Sequence, residues 1–148
     1  MTRSLLTRTS AFVLLGVALT IPLSQAKGQT SCATSGGQQQ YLRGAVRKMM
    51  NSTNAAVIAE RTRMQIPLVN DTTKVVWEAS ASNCNKIRNA MIAHLAANSS
   101  TRPVGTQIYA VKVGNNYVVQ DSYADSTSEW TRTVVLSKQF KVLATGIQ

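Results

Sequence analysis

Two hydrophobic periods divide this chain. From Gln39 onward, Tyr41, Leu42, Ala45, Val46, Met49 and Met50 recur at the spacing of one helical face, with Arg43, Arg47 and Lys48 opposite. The Met and aromatic positions of this helix are expected in the core. Asn51-Ser52-Thr53-Asn54 is a turn, and the Asn54 side chain is suited to cap a second helix running from Ala55 to Arg61. Pro67 closes that segment. Thr73-Lys74-Val75-Val76-Trp77-Glu78 is short, rich in β-branched residues and bounded by turn residues, which predicts a strand. Cys84, Ile87, Met91 and Leu95 then mark one face of a third helix, capped by Ser80 or Ser82 and ending near Asn98.

After Pro103 the period changes from helical to alternating. The stretches 108–113 and 117–120 flank Gly114-Asn115-Asn116, where Gly and Asn tolerate positive φ, so a tight hairpin is expected. Residues 121–128 read as a polar loop. A second hairpin, 129–136 with 140–145, turns at Ser137-Lys138-Gln139. The order α-α-β-α-β-β-β-β predicts an α+β domain with two or three helices packed on one face of an antiparallel meander. No internal repeat and no interdomain linker interrupts it.

The first residues follow a different logic. Arg3 and Arg8 precede the apolar run 11–19, Pro22 breaks it, and Ser24-Gln25-Ala26 puts small residues at −3 and −1 of a cut before Lys27. The apolar run reaches about 13 residues, where a membrane span needs roughly 20. A cleavable secretory signal at 1–26 is therefore expected over a retained anchor. Gln29-Thr30-Ser31 before Cys32 lacks the apolar residue of a lipid-modified cysteine. The organisation predicted is signal peptide 1–26, polar arm 27–38 and a single domain 39–148, secreted to the periplasm or beyond and not membrane-spanning after cleavage.

Charge and cysteines refine that picture. The signal takes two of the 16 basic residues and none of the six acidic ones, which leaves a formal +8. Such an excess favours anionic partners. The basic residues are scattered, without a run or an aromatic ladder, so no specific nucleic-acid partner is expected. Cys32 and Cys84 are the only cysteines, and an even count in an exported chain predicts a disulfide. Closing its loop of about 50 residues would stabilise the fold by roughly 4 kcal/mol and tie the polar arm to the domain. The alternative is a free Cys84 thiol activated near a helix N-terminus.

Catalytic signatures are sparse. One histidine and six acids give little material for a metal site, although Asp121, Asp125 and Glu129 at spacing four could hold a hard cation loosely. No phosphate-binding glycine loop, dinucleotide fingerprint or nucleophile elbow occurs. His94 beside Met91 and Leu95 reads as a histidine at the edge of the core. A cysteine opening a helix before a hairpin is the arrangement of papain-like peptidases. Here no strand carries the histidine such a site needs, and His94 lies roughly 15 Å along the helix from Cys84. Asn51, Asn70 and Asn98 head N-x-[ST] triplets, which also serve as turns.

Val75-Val76-Trp77, Cys84 within a helix, Tyr109-Ala110-Val111-Lys112-Val113-Gly114, Tyr117-Val118-Val119-Gln120-Asp121 and Glu129-Trp130 together carry a resemblance. Over roughly residues 57–145 the chain resembles small secreted bacterial proteins of no assigned function. Those proteins often have proline after the aspartate and glycine before Glu-Trp, where this chain has Ser122 and Ser128. The resemblance implies a bacterial, exported origin.

These readings converge on a non-enzymatic binding or accessory module without a cofactor, for an unknown protein or an anionic polymer. Loops on rigid scaffolds tend to carry function, so the sheet and the 121–128 loop are the expected contact surface. Its candidate contacts are Tyr109, Tyr117, Tyr123, Trp130, Asp121 and Asp125. Alternatives of other classes are a cystatin-like or propeptide-like peptidase inhibitor, a cationic binder of anionic envelope polymers, and an enzyme relying on Cys84. Intact mass of the secreted chain under non-reducing conditions is expected to begin at Lys27 and to resist alkylation. A mass retaining residue 1 would remove the signal peptide, and two alkylated thiols would remove the disulfide.

Overall fold

The computed structural model describes residues 31–32, 37–98, 100, 103–105, 107–124 and 129–147. The predicted signal peptide lies outside them. Helix α1 spans Gly37–Met50 and α2 spans Ala55–Arg63, with Asn54 as its cap: Asn54 Oδ1 accepts from the Ala56 and Val57 amides at 2.9 and 3.4 Å. A short 3₁₀ turn, Thr72–Lys74, leads into strand β2 at Val75–Trp77. Helix α3 covers Ala81–Ala97, and of its two candidate caps it is Ser80 whose hydroxyl accepts from the Asn83 amide. Strands β3 (Gln107–Val113), β4 (Asn116–Ala124), β5 (Glu129–Ser137) and β6 (Val142–Ile147) form the antiparallel meander. The class is α+β, with the helices ahead of the meander.

The predicted polar arm is more structured than its composition suggests. Ser31–Cys32 form strand β1, parallel to β3 in the register Ser31↔Gln107 and Cys32↔Ile108. Farther along the same edge of β3, β2 pairs antiparallel through Val75↔Val113 and Trp77↔Val111. Two short strands thus share one edge, and the sheet order is β1-β3-β4-β5-β6 with β2 also on β3. The buried Gln39 side chain reaches between them, its Nε2 donating to the Ala110 carbonyl at 3.0 Å. Helix α1 begins at Gly37, two residues ahead of the expected start, and so carries Gln39 to that position.

One expectation is corrected by packing. The helices do not share a face of the sheet. Leu42, Val46 and Met50 of α1 pack on Tyr109, Val111, Val113, Val118 and Val135. Ile87 and Met91 of α3 pack with Ile108, Ala110, Tyr117, Val119, Val134 and Leu136, the alternate positions of the same strands. A central strand covered on both sides has to be apolar throughout, and 108–111 and 117–119 are. The pattern read as hairpin therefore also encoded a second helical layer. Tyr41 and Ala45, expected in the core, face outward, with Tyr41 68% exposed.

The polar loop expected at 121–128 is shorter than predicted, because β4 continues to Ala124 and pairs as far as Ala124↔Glu129. The turn between β3 and β4 is two residues long, with Gly114 at φ 58° as its first central residue. Ile87 is fully buried at the centre of the α3 layer. Ile87→Ala is expected to destabilise the fold by about 2–5 kcal/mol in urea unfolding, and a loss under about 1 kcal/mol would place α3 outside the cooperative core.

Candidate functional site

The residues proposed for an open contact surface are largely internal. Tyr109, Tyr117, Trp130 and Asp121 are all buried, so they cannot form an exposed patch as expected. Asp125 lies outside the described residues, as does the side chain of Tyr123. The correction follows from β alternation: Tyr117, Val119 and Asp121 point to one face, and that face is covered by α3.

Asp121 instead anchors a buried ion pair. It stands opposite Arg132 in the β4–β5 ladder, and both side chains are almost fully removed from solvent. Arg132 Nε donates to Asp121 Oδ1 at 3.0 Å and Arg132 Nη2 to Oδ2 at 2.5 Å, a two-pronged contact. The same Nη2 donates to the Pro103 carbonyl at 2.9 Å, and the Gly105 amide donates to Asp121 Oδ2 at 2.8 Å. Trp130 lies against the guanidinium, its ring centroid 4.7 Å from Cζ. A Cβ on Gly105 would come within 2.3 Å of the Ser122 carbonyl oxygen, so only glycine allows the 103–105 segment to lie this close to β4. Asp121 is thereby committed to the interior and unavailable as a loop ligand for a cation.

His94 is half-buried, its Nδ1 3.4 Å from the Asn98 side-chain Nδ2. With Leu95, Asn98, Ser100, Arg132 and Thr145 it lines an open cleft of about 290 Å³. Among the described residues no group of three His, Cys, Asp or Glu side chains could hold a metal ion. Cys84 is buried in the first turns of α3, is disulfide-bonded, and is not a titrating thiol. No helix among the described residues is long and apolar enough to cross a membrane.

Four of the six acids are engaged, Asp121 in the interior and Glu60, Asp71 and Glu78 by neighbours at the surface, so basic residues predominate among the unpaired charges. Glu60 takes Arg63 at 2.6 Å, and that contact holds the Glu60 carboxyl below its usual range and raises the Arg63 guanidinium. Glu78 faces Lys112 at 3.6 Å. Asp71 caps the turn before β2; bonds from the Thr73 hydroxyl and amide lower its carboxyl. Arg43 and Arg47 lie along the chain leading into and through β2, their Nε atoms donating to the Val75 and Thr72 carbonyls at 3.0 and 3.1 Å. Lys48, Arg61, Lys86, Lys138 and Lys141 have no acidic partner among the described residues.

Three of these cations gather at the β5–β6 turn, which sequence reasoning passed over as a simple connection. Lys86 Nζ on α3 lies 5.6 Å from the Phe140 ring centroid, and Phe140 stacks on Tyr117 at 5.2 Å. Phe140 adopts φ 63°, a left-handed conformation uncommon for a bulky side chain. Lys138 and Lys141 bracket it in the turn. The only signal in the sequence was the Lys-Gln-Phe-Lys spacing itself, since Lys86 arrives from a distant helix.

Comparison with family models, with curated proteins and with solved structures finds no match. Removing one partner of a buried pair strands the other charge. Asp121→Asn and Arg132→Met should each destabilise the chain by about 3–5 kcal/mol in urea unfolding, whereas joint replacement by Leu and Met should cost markedly less. A loss in the double variant equal to the sum of the two single losses would show that the two groups are not energetically coupled.

Proposed function

We propose that this chain is an exported, non-enzymatic binding module that attaches electrostatically to an anionic polymer. The observation that carries this reading is the uneven fate of its charges. Glu60, Glu78 and Asp121 are each occupied by a basic side chain and Asp71 by its own turn. Solvent-facing lysines and arginines on α1, α2, α3 and the β5–β6 turn are left to set the outer field. A field of one sign steers oppositely charged partners and holds them through many weak contacts. The aromatic contact surface first expected is unsuited to the role, because Tyr109, Tyr117 and Trp130 fill the interior.

Export is supported by the leader composition and by the state of Cys84. We assign Cys32 as its partner, since it is the only other cysteine in the chain and β1 carries it alongside Ile108. A catalytic role for Cys84 is disfavoured by its occupation in a disulfide. Origin in bacteria follows from the resemblance of residues 57–145.

Binding of the purified chain to linear polyphosphate, followed by fluorescence anisotropy, should weaken steeply as salt rises from about 0.05 to about 0.5 M, with log K linear in log salt. Affinity that stays level across that range, or no measurable binding at its low end, would overturn the reading.

A further inference from the structure

Resting on that reading, we propose that the β5–β6 turn is the principal contact point for the anionic polymer, with Lys86, Lys138 and Lys141 as its ligands for closely spaced phosphate groups. Of the basic residues on α1 and α2, Arg43 and Arg47 are tied to backbone carbonyls and Arg63 to Glu60, which leaves Lys48 and Arg61 on separate helices. Here three lysines without acidic partners are brought to one aromatic centre, two by the turn itself and one from α3.

The turn is ordered before any partner arrives. Ser137 and Lys141 close it through an amide-to-carbonyl bond of 2.9 Å, and the Phe140 amide donates to the Ser137 carbonyl at 2.8 Å. Ser137 Oγ accepts from the Gln139 and Lys141 amides at 3.3 and 3.2 Å. A left-handed Phe costs energy and persists only where its surroundings over-determine it. Stacking on Tyr117 and the Lys86 ammonium supply that determination, and the result is a fixed platform between Lys138 and Lys141. Lysines displayed on a pre-ordered turn lose less freedom on binding than those on a mobile segment. Lysine ammonium groups, as compact point charges, suit phosphate oxygens.

A polymer in solution fits this turn better than a bilayer surface. Three lysines alone hold a bilayer surface weakly, and firm membrane attachment adds an apolar side chain buried among the acyl chains. Phe140 is instead held between Tyr117 and Lys86, and the large apolar residues that are exposed, Tyr41, Ile58, Leu68, Val76 and Ile92, belong to other segments.

The test compares two variants that lose equal charge. Lys86→Gln/Lys138→Gln/Lys141→Gln should weaken polyphosphate binding about tenfold or more near 0.15 M salt and flatten the log–log salt slope by about 2. Lys48→Gln/Arg61→Gln/Lys74→Gln lowers the overall field by the same charge away from the turn and should weaken binding by no more than about threefold, with both variants matching the parent in thermal midpoint and far-ultraviolet circular dichroism. Equal weakening by the two variants would overturn the turn as contact point while leaving polymer binding intact. Absence of binding by the parent chain would defeat both readings. Vesicles containing phosphatidylglycerol, used at matched phosphate, should bind more weakly than polyphosphate; turn-dependent binding that favours the vesicles would replace the polymer by a lipid surface.

Discussion

The Asp121–Arg132 pair organises more of this molecule than any other polar contact. It lies across β4 and β5, draws in the Pro103 carbonyl and the Gly105 amide, and is covered by the Trp130 ring. Through it the chain that leaves α3 is tied to the sheet just before β3 begins. A buried pair of this kind is a poor source of net stability compared with apolar packing, because both charges had to leave water. Its geometry is demanding, however, and a pair that works in one register only helps select that register. Gly105 shows how tight the selection is, since any side chain there would strike the β4 backbone.

Around that clasp the sheet is insulated on both faces. One side of β3, β4 and β5 receives α1 and the other receives α3, so neither face is open to a partner. On the β3 side the edge is also closed, by β1, β2 and the Gln39 side chain, with Arg43 and Arg47 bonded to the carbonyls of Val75 and Thr72. Exposed strand edges invite pairing with other chains, and guarding them with charge is a common remedy. On the β6 side, Gln65 Nε2 donates to the Leu143 carbonyl at 3.0 Å. The turns and helical surfaces are consequently the more accessible parts of the fold.

The electrostatic character of the surface is a consequence of the same economy. With six acids in 148 residues, each one committed to a cap, a surface pair or the buried clasp removes a large share of the available negative charge. Basic residues then dominate what a partner meets. The β5–β6 turn concentrates that effect because a strained Phe140, stacked on Tyr117, holds two lysines beside a third from α3.

Much of the architecture was legible from residue order alone. Helical periodicity located α1, α2 and α3, the Asn54 cap followed from side-chain chemistry, and Gly114 marked the first hairpin, because these features depend on neighbours within a few positions. Asp121 instead reads as the start of a polar loop, because no local sign in the sequence shows that β4 continues through it. Three matters were decided only in three dimensions. The uninterrupted apolar runs of β3 and β4 can be buried by two helical layers or by a single layer and a partner, and only packing against α1 and α3 distinguishes these. Two residues at 31–32 are too few for any periodic signal, so their pairing with Gln107 and Ile108 depends on β3 being in place. The pairing of Asp121 with Arg132 and the meeting of Lys86 with Phe140 join residues on separate elements. Local sequence specifies which elements form, while the partner of a buried charge or an exposed ring is chosen by how those elements stack.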